Sequence, residues 1–270
     1  MTLSSAPSAL RSPDTTESAN PHILGVTISA VDMEAAVDRV LGWIERRDRH
    51  YVTVTGVHGV VEAQGDATFK GILNGAGLTV PDGMPIVWLS RLAGYSQISR
   101  VFGPDFMLAL MRAIAKKRRR VFYYGGAFGI ADELAATMRS KFPGIVDAGT
   151  FTPPYRELTS AEREEVIRLI NKAHPDVVWV GLSTPKQEFW MAQMRPFLDA
   201  PALIGVGAAF DYNTGRVKRA PRWMQTSGLE WLYRTIQEPR RLWKRYARNN
   251  TLFIFYLLLQ KLRLRNFGDS

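Results

Sequence analysis

Residues 120–129 read Arg-Val-Phe-Tyr-Tyr-Gly-Gly-Ala-Phe-Gly, an apolar, β-prone run that passes into a glycine-rich turn. An amphipathic helical pattern follows over 130–141, so the segment predicts a strand, a tight turn and a helix. The same alternation recurs along most of the chain. Strands that alternate with helices form right-handed crossover units, and the chain is therefore predicted to fold as a mostly parallel, doubly wound α/β sheet.

Further elements of this fold can be placed from the same patterns. Strands are predicted at 22–28, 51–55, 78–80, 177–181 and 202–206, and helices at 33–44 and 162–173. Thr159 and Glu162 have the spacing of a capping box at the start of the last of these helices. In a parallel sheet, ligands bind outside the edge where the carboxyl ends of the strands meet. Polar residues that directly follow predicted strands are therefore the candidates for a functional site.

Composition narrows the possible classes of protein. The chain has 270 residues, of which 46% are hydrophobic, enough for one large domain or one domain with an appendage. It contains no cysteine, which excludes disulfides, thiolate metal sites and cysteine nucleophiles and fits a cytoplasmic setting. The net charge of +10 predicts an anionic partner: nucleic acid, an anionic membrane surface or a phosphorylated substrate.

Three segments of the chain differ in character. Residues 1–19, rich in Ser, Thr, Pro and Ala, are predicted to be a disordered leader and not an export signal. Residues 20–219 carry the alternating pattern of the α/β core. In residues 220–270, Trp, Tyr and Arg accumulate and Pro239 interrupts the helical pattern, so this segment is predicted to be a helical appendage.

The appendage also carries much of the positive charge. Basic residues flank the apolar run at 252–259, with Trp and Tyr nearby, a pattern that suits a helix lying in the interface of an anionic bilayer. A nucleic-acid-binding surface and an oligomer-forming helix are the alternatives. Because the run is much shorter than the roughly 20 apolar residues that cross a bilayer, the protein is predicted to be soluble or peripheral.

The stretch Val-Pro-Asp-Gly-Met-Pro at 80–85 places a lone carboxylate, Asp82, on a turn directly after a predicted strand. This is where α/β enzymes put catalytic groups. The alternative is a structural turn in which the aspartate caps the backbone. Asp82 is the candidate catalytic residue.

Other polar or glycine-rich turns follow predicted strands. Gly125 and Gly126 precede a helix, and glycines in such a turn let the backbone come close to a phosphate. The glycine spacing of a dinucleotide-binding motif is missing, however, and so is the lysine of a Walker motif. Lys186 and Gln187 can reach a diphosphate or a sugar hydroxyl, and Asp211 can bind sugar hydroxyls. Each has a structural alternative: a tight turn for the two glycines, a solvated helix start for Lys186 and Gln187, and a turn cap for Asp211.

Arg100 and His58 are two further candidate site residues, and the sequence also lacks metal-binding motifs. Arg100 offers a guanidinium that binds a diphosphate without a metal, or it is a surface arginine before a helix. His58, just past a strand, is a candidate ligand contact or a satisfied turn residue. The sequence has no Asp-x-Asp, His-Glu-x-x-His or clustered histidines, so neither a metal nor a cofactor is expected.

Five segments, in order along the chain, together resemble the bacterial WecB/TagA/CpsF family of glycosyltransferases. They lie at 81–85, 100–105, 181–188, 205–211 and 220–234. The resemblance extends over about residues 24–245. It implies a modified Rossmann-like fold and a metal-independent, inverting transfer from a UDP-sugar to a polyprenyl-diphosphate-linked sugar. Such enzymes act at the inner membrane face in exopolysaccharide, capsule or teichoic-acid-type biosynthesis.

The resemblance also implies roles for particular residues. These are Asp82 as the base, Arg100, Gln187 and Asp211 in the pocket, and Arg234 and Arg240 closing over the nucleotide. Many relatives carry a Thr-Pro-Asn motif after the second strand, whereas this chain has Thr55-Gly56-Val57-His58. Thr55 is kept as a substrate-binding candidate, and His58 is expected to fill part of the space left by the missing amide.

Two rival functions follow from the sequence. A nucleotide-sugar epimerase or dehydrogenase needs a dinucleotide fingerprint, which the chain lacks. A basic nucleic-acid-binding α/β protein predicts salt-sensitive binding to DNA or RNA. The transferred sugar, the pathway and any homo-oligomer stay open at this point.

Overall fold

The computed structural model describes residues 20–267, apart from the side chain of Arg241. The predicted leader, residues 1–19, lies outside the described residues. The strands are β1 His22–Ile23, β2 Val26–Thr27, β3 His50–Thr55, β4 Leu78–Pro81, β5 Arg120–Gly125, β6 Val146–Phe151, β7 Val177–Gly181 and β8 Ala202–Gly205. Strands β3 to β8 form one six-stranded parallel sheet in the order β4-β3-β8-β7-β5-β6. The expected Rossmann-like α/β fold is confirmed.

Helices flank the sheet and continue beyond it. Between residues 20 and 267 they are α1 Met33–Arg46, α2 Val57–Glu62, α3 Ala67–Asn74, α4 Met84–Leu92, α5 Gly103–Ala115, α6 Ile130–Lys141, α7 Ser160–Lys172, α8 Lys186–Met194, α9 Ala209–Asn213, α10 Arg222–Thr226, α11 Glu230–Gln237 and α12 Pro239–Lys261. The capping box is present at the start of α7, where the Thr159 side chain accepts from the Glu162 N–H and Glu162 accepts from the Thr159 N–H.

Apolar side chains cover both faces of the central strands. Trp179 of β7 is fully buried on the face covered by α1, α5 and α6, and its neighbour Val178 is fully buried on the face covered by α7 and α8. Successive residues of a strand point to opposite faces, so a strand buried on both sides reads as an unbroken apolar run. This is why the central strands could be recognised from the sequence.

The register of the sheet brings the ends of its strands together. Thr55 at the end of β3 pairs with Pro81 at the end of β4, and Gly125 of β5 pairs with Gly181 of β7. The loops that follow these strands therefore leave from one edge. Strands β4 and β6 lie at opposite sides of the sheet, and β8 lies near its middle. The loops that follow the strands therefore run in different directions and leave a crevice between them at this edge.

The single strand expected over 22–28 is wrong in detail. Leu24 and Gly25 have φ values of 51° and 75°, so the chain turns back and β1 pairs with β2 in an antiparallel hairpin. A Cβ on Gly25 would lie 2.0 Å from the carbonyl oxygen of Phe267.

Strand β6 was not predicted from the sequence. Its sequence, Val-Asp-Ala-Gly-Thr-Phe, contains no apolar run, as is usual for a half-buried strand at the sheet edge.

The C-terminal segment is helical, as expected, and Pro239 marks the break between α11 and α12. It is packed against the rest of the chain. Phe253 of α12 and Phe267 are buried in a cluster with Ile23 and Phe69. Within residues 20–267, no helix is sufficiently long and apolar to cross a membrane. The domain boundary at residue 220 stays a prediction.

Replacing Gly125 with alanine is expected to destabilise the fold by about 2 kcal/mol or more. Gly125 has φ of 110°, and a Cβ there would lie 2.7 Å from the Gly181 carbonyl oxygen, where β5 and β7 meet. Urea unfolding measures the effect. The matched control is Gly71→Ala in α3, where a Cβ meets nothing within 4 Å and the helix gains stability. An unchanged free energy of unfolding for Gly125→Ala would contradict this structural role.

Candidate active site

A cavity of about 910 Å³ opens at the carboxyl edge of the sheet. Its volume lies within the roughly 300–1,000 Å³ typical of small-molecule sites. The walls come from the loops after β3, β4, β7 and β8 and from α4, α11 and α12. The sequence-predicted site residues that line it are Thr55, His58, Asp82, Arg100, Gln187 and Arg234.

Asp82 follows β4 directly, at the turn into α4. Its N–H donates to the Thr55 carbonyl at 2.9 Å, which ties the turn to the neighbouring strand β3. The side chain faces the cavity, with 30% of its surface exposed. Within residues 20–267, its buried Oδ1 accepts no hydrogen bond, and the nearest cation is Arg100 Nη2 at 3.6 Å. The carboxylate therefore exposes part of its surface to the cavity and keeps one buried oxygen without a hydrogen bond.

The surroundings of Asp82 make it more basic than an ordinary aspartate. Burial raises the pKa of Asp82 to about 6. The positive charges of Arg100 and Arg234 oppose this shift, and the negative charge of Glu230 adds to it. A carboxyl group with this pKa is largely ionised at pH 7 and still accepts a proton readily.

Arg100 lies between two carboxylates. Its Nη2 is 2.5 Å from Glu230 Oε2 and 3.6 Å from Asp82 Oδ1, and its guanidinium stacks on the Phe102 ring at 4.4 Å. The shorter, charge-assisted hydrogen bond goes to Glu230. Glu230 thus takes up much of the positive charge that would otherwise lower the pKa of Asp82.

Arg234 of α11 forms another part of the cavity wall. Its guanidinium lies 5.4 Å from the centre of the Tyr212 ring, and its Nη2 is 3.7 Å from Glu238 Oε1. The buried Arg234 Nε and the Tyr212 hydroxyl find no hydrogen-bond partner in the described part of the chain. Both groups can donate to an anionic ligand.

Gln187 and Glu188 link the β7 and β8 loops. Gln187 Oε1 accepts from the Gly207 N–H at 2.9 Å, while its Nε2 donates to Glu188 Oε1 at 3.0 Å. The Thr184 hydroxyl donates to the same Glu188 oxygen at 2.9 Å. Burial raises the pKa of Glu188. Both hydrogen-bonding ends of Gln187 thus make contacts within the protein that hold the β8 loop, and its role in substrate binding stays a prediction.

His58 lies in the first turn of α2, with Nε2 3.6 Å from Glu62 Oε1. Burial lowers the pKa of His58 to about 4, and the positive charges of Arg245 and Arg248 contribute. The imidazole is therefore neutral at pH 7 and acts there as a hydrogen-bonding group without charge.

Five sequence-predicted site residues do not line the cavity: Gly125, Gly126, Lys186, Asp211 and Arg240. The two glycines lie where β5 approaches β7, and the Gly126 N–H donates to the Gly181 carbonyl at 2.9 Å. Lys186 and Arg240 are exposed, and Asp211 is half-buried in α9. The structure thus leaves their binding roles as predictions.

Across residues 20–267, no three His, Cys, Asp or Glu side chains are grouped so that they could hold a metal ion.

The family model described as "Glycosyl transferase WecG/TagA/CpsF family" matches residues 21–267. The chain belongs to this family. It is therefore a glycosyltransferase, and the resemblance of its five segments is confirmed.

Two relatives of this WecG/TagA/CpsF-family enzyme share its activity class by name. Both are called N-acetylglucosaminyldiphosphoundecaprenol N-acetyl-beta-D-mannosaminyltransferase. The protein of Bacillus spizizenii is 34% identical over 184 residues, which cover 68% of this chain and 69% of the relative. The protein of Bacillus subtilis is 35% identical over 180 residues, which cover 67% and 68%, respectively.

The cavity residues of this glycosyltransferase that sequence reasoning missed include Glu188, Tyr212, Glu230, Arg245 and Asn249. Glu188 and Glu230 lie inside segments that carry the family resemblance, so a carboxylate within each was a usable signal. Tyr212 follows such a segment directly. Asn249 gave no signal, because it lies in a basic and apolar helical stretch whose inward face only the packing determines.

Glu230→Gln is expected to lower the pKa of Asp82 below about 6. The substitution removes a nearby negative charge and frees Arg100 for Asp82. Carboxyl carbon chemical shifts in aspartate-labelled protein, titrated by NMR and assigned with Asp82→Asn, measure the change. Glu165→Gln on α7, an exposed carboxylate that pairs with Arg168 away from the cavity, serves as the control and leaves the Asp82 titration unchanged. An unaltered or higher pKa in Glu230→Gln would refute the coupling.

Proposed function

We propose that this glycosyltransferase moves a sugar from a UDP-sugar to a polyprenyl-diphosphate-linked sugar, with inversion at the anomeric carbon. The observation that carries the proposal is Asp82, a basic carboxylate in the wall of a large cavity, one of whose oxygens accepts no hydrogen bond within residues 20–267. The names of the two Bacillus relatives support a lipid-linked N-acetylglucosamine acceptor. They also make UDP-N-acetylmannosamine the first donor to test.

Asp82 serves as the general base in this proposal. Inversion requires the acceptor hydroxyl to attack the anomeric carbon from the face opposite to UDP, and the hydroxyl must lose its proton as the bond forms. The Asp82 carboxylate, which is partly exposed to the cavity, takes this proton. The bond to the UDP oxygen breaks in the same step, and the electron pair leaves with the diphosphate.

Negative charge that builds up on the departing diphosphate needs nearby donors. Arg100 and Arg234 both line the cavity and approach Asp82 closely enough to affect its pKa. Two fixed guanidinium groups in a partly buried site can stabilise a developing anion in the way that a metal ion does elsewhere. We therefore propose that the reaction is independent of metal ions and of any cofactor.

The enzyme is further proposed to bind peripherally at the inner face of the cell membrane, where a polyprenyl acceptor resides. The C-terminal helix and the residues after it expose large apolar side chains to the surroundings. They are Ile254, Phe255, Leu258, Leu262 and Leu264. Basic residues such as Lys261, Arg263 and Arg265 lie among them. Apolar insertion combined with cationic attraction is typical of proteins that lie on anionic bilayers.

Asp82→Asn is expected to lower transfer by about 10²–10⁴-fold, because the amide cannot accept the proton. Binding of UDP is retained. Radiolabelled sugar from a panel of UDP-sugars, counted in the organic-extractable lipid of bacterial membranes, measures transfer, with and without EDTA. Asp48→Asn, which alters an exposed ion pair with Arg46 outside the cavity lining, is the matched control. Undiminished transfer by Asp82→Asn, or loss of activity in EDTA, would contradict the mechanism.

The pH dependence of kcat/KM should show an acid limb near the pKa of Asp82, at about pH 6. Below this pH the carboxyl group of the folded protein is protonated and no longer accepts the hydroxyl proton. Initial rates between pH 4.5 and 8.5 at constant ionic strength measure the limb. Failure of the wild type to bind UDP at any pH would favour the nucleic-acid alternative over a glycosyltransferase site.

Phe255→Glu is expected to reduce sedimentation with anionic lipid vesicles while the fold stays intact. Phe255 is 51% exposed on α12, so the substitution removes apolar contact with lipid and adds a repelled charge. Phe197→Glu is the matched control, since Phe197 is 57% exposed and lies after α8. Equal sedimentation of both variants and the wild type would argue against membrane contact through this face.

A further inference from the structure

Asn249 is a buried amide without a partner. It lies on the cavity side of α12 with 2% of its surface exposed. Among the residues the structure describes, neither its Nδ2 nor its Oδ1 finds a hydrogen-bond partner. Buried polar groups are nearly always paired, and one that is not destabilises the fold. A ligand in the cavity would supply the missing hydrogen bonds.

Asn249 belongs to a row of cavity-lining residues on α12. Arg245, Asn249, Phe253 and Leu257 are spaced four residues apart, so they lie on one helix face, and all four line the cavity. Along this row the chemistry changes from a cation to an amide, an aromatic ring and an aliphatic chain. A ligand with an anionic head and a hydrocarbon tail has the same order of properties.

The polar end of this row faces His58 on α2. Arg245 lies close enough to His58 to lower its pKa, and its buried Nε has no partner within residues 20–267. Glu62 is the nearby carboxylate, with Oε1 3.6 Å from His58 Nε2 and 4.0 Å from Arg248 Nη1. Guanidinium, amide and imidazole N–H groups together can bind a phosphate.

The apolar end of the row lies in a hydrocarbon-like part of the cavity. Phe69 and Leu73 of α3 and Leu89 of α4 line this part together with Phe253 and Leu257. At the rim, Leu92 is 85% exposed and Ile254 is 60% exposed. The cavity therefore has an apolar section with apolar side chains at its mouth, which water fills poorly and a hydrocarbon chain fills well.

We propose that this face of α12 binds the diphosphate and the first isoprenyl units of the acceptor, and the proposal rests on the function proposed above. Arg245 and the Asn249 amide N–H bind phosphate oxygens, while Asn249 Oδ1 accepts from the attached sugar. Phe253 and Leu257 pack against the hydrocarbon. The donor diphosphate lies with Arg100 and Arg234, so the two diphosphates have separate cations.

Binding measurements without turnover test this subsite. Isothermal titration of the full-length protein uses farnesyl diphosphate, inorganic diphosphate and UDP as probes. Wild type is expected to bind farnesyl diphosphate about tenfold or more tightly than inorganic diphosphate, because the prenyl chain buries apolar surface. Asn249→Leu should weaken farnesyl diphosphate binding about tenfold and leave UDP binding unchanged. Its midpoint of thermal unfolding should rise, since the unpaired amide is gone.

Two matched pairs of variants extend the test and do not depend on Asn249→Leu. Leu257→Ala should weaken farnesyl diphosphate binding, whereas Leu258→Ala should not, since Leu258 is 52% exposed and lies outside the cavity. Arg245→Met should weaken both farnesyl diphosphate and inorganic diphosphate. Arg248→Met, three residues along the same helix and outside the cavity lining, should leave both unchanged.

Three outcomes would overturn the subsite. The first is an equal affinity of all variants for farnesyl diphosphate. The second is a loss of UDP binding in Asn249→Leu, which would assign the amide to the binding of the donor sugar nucleotide. A lower midpoint of unfolding in Asn249→Leu, with binding intact, would make the amide structural. Prenyl diphosphate binding by the predicted residues, without transfer from any UDP-sugar, would support the subsite and contradict only the proposed function.

Discussion

The guanidinium of Arg100 joins two parts of the chain that would otherwise repel each other. Its Nη2 lies 2.5 Å from Glu230 Oε2 on α11 and 3.6 Å from Asp82 Oδ1 at the end of β4. Two partly buried carboxylates without a cation between them would repel each other and push the helix away from the sheet edge. The position of α11 over the crevice therefore depends on this ion pair, while burial raises the pKa of Asp82 and Arg100 opposes the rise.

Helix α12 contributes to both the inside and the outside of the molecule. Its inward face places Asn249 and Phe253 in the cavity wall, and Phe253 also fills an apolar cluster with the N-terminal hairpin. Its outward face exposes Phe255 and Leu258. Removing the whole C-terminal segment would thus open the cavity and uncover a core. Substitutions on the outward face can change membrane contact without disturbing the fold, whereas deletion of the whole segment changes both.

Local sequence patterns predicted much of the fold. The helix expected at 130–141 is α6, Ile130–Lys141, and the expected strand at 177–181 is β7, Val177–Gly181. Both have strong local signals, one a helical apolar period and the other an unbroken β-branched run. The edge strand β6 and the turn at Gly25 were missed, because their conformations depend on neighbours that are distant in the chain.

The sequence by itself determined the parallel α/β sheet, the edge at which polar loops gather, the carboxylate at Asp82 and the family of glycosyltransferases. These follow from periodicity, turn residues and motif order, which act between near neighbours in the chain. Only the tertiary structure decided that Arg100 meets Glu230, 130 positions away, and that Asn249 faces the cavity without a partner. Basicity and hydrogen-bond satisfaction depend on distances across space, which no local pattern specifies.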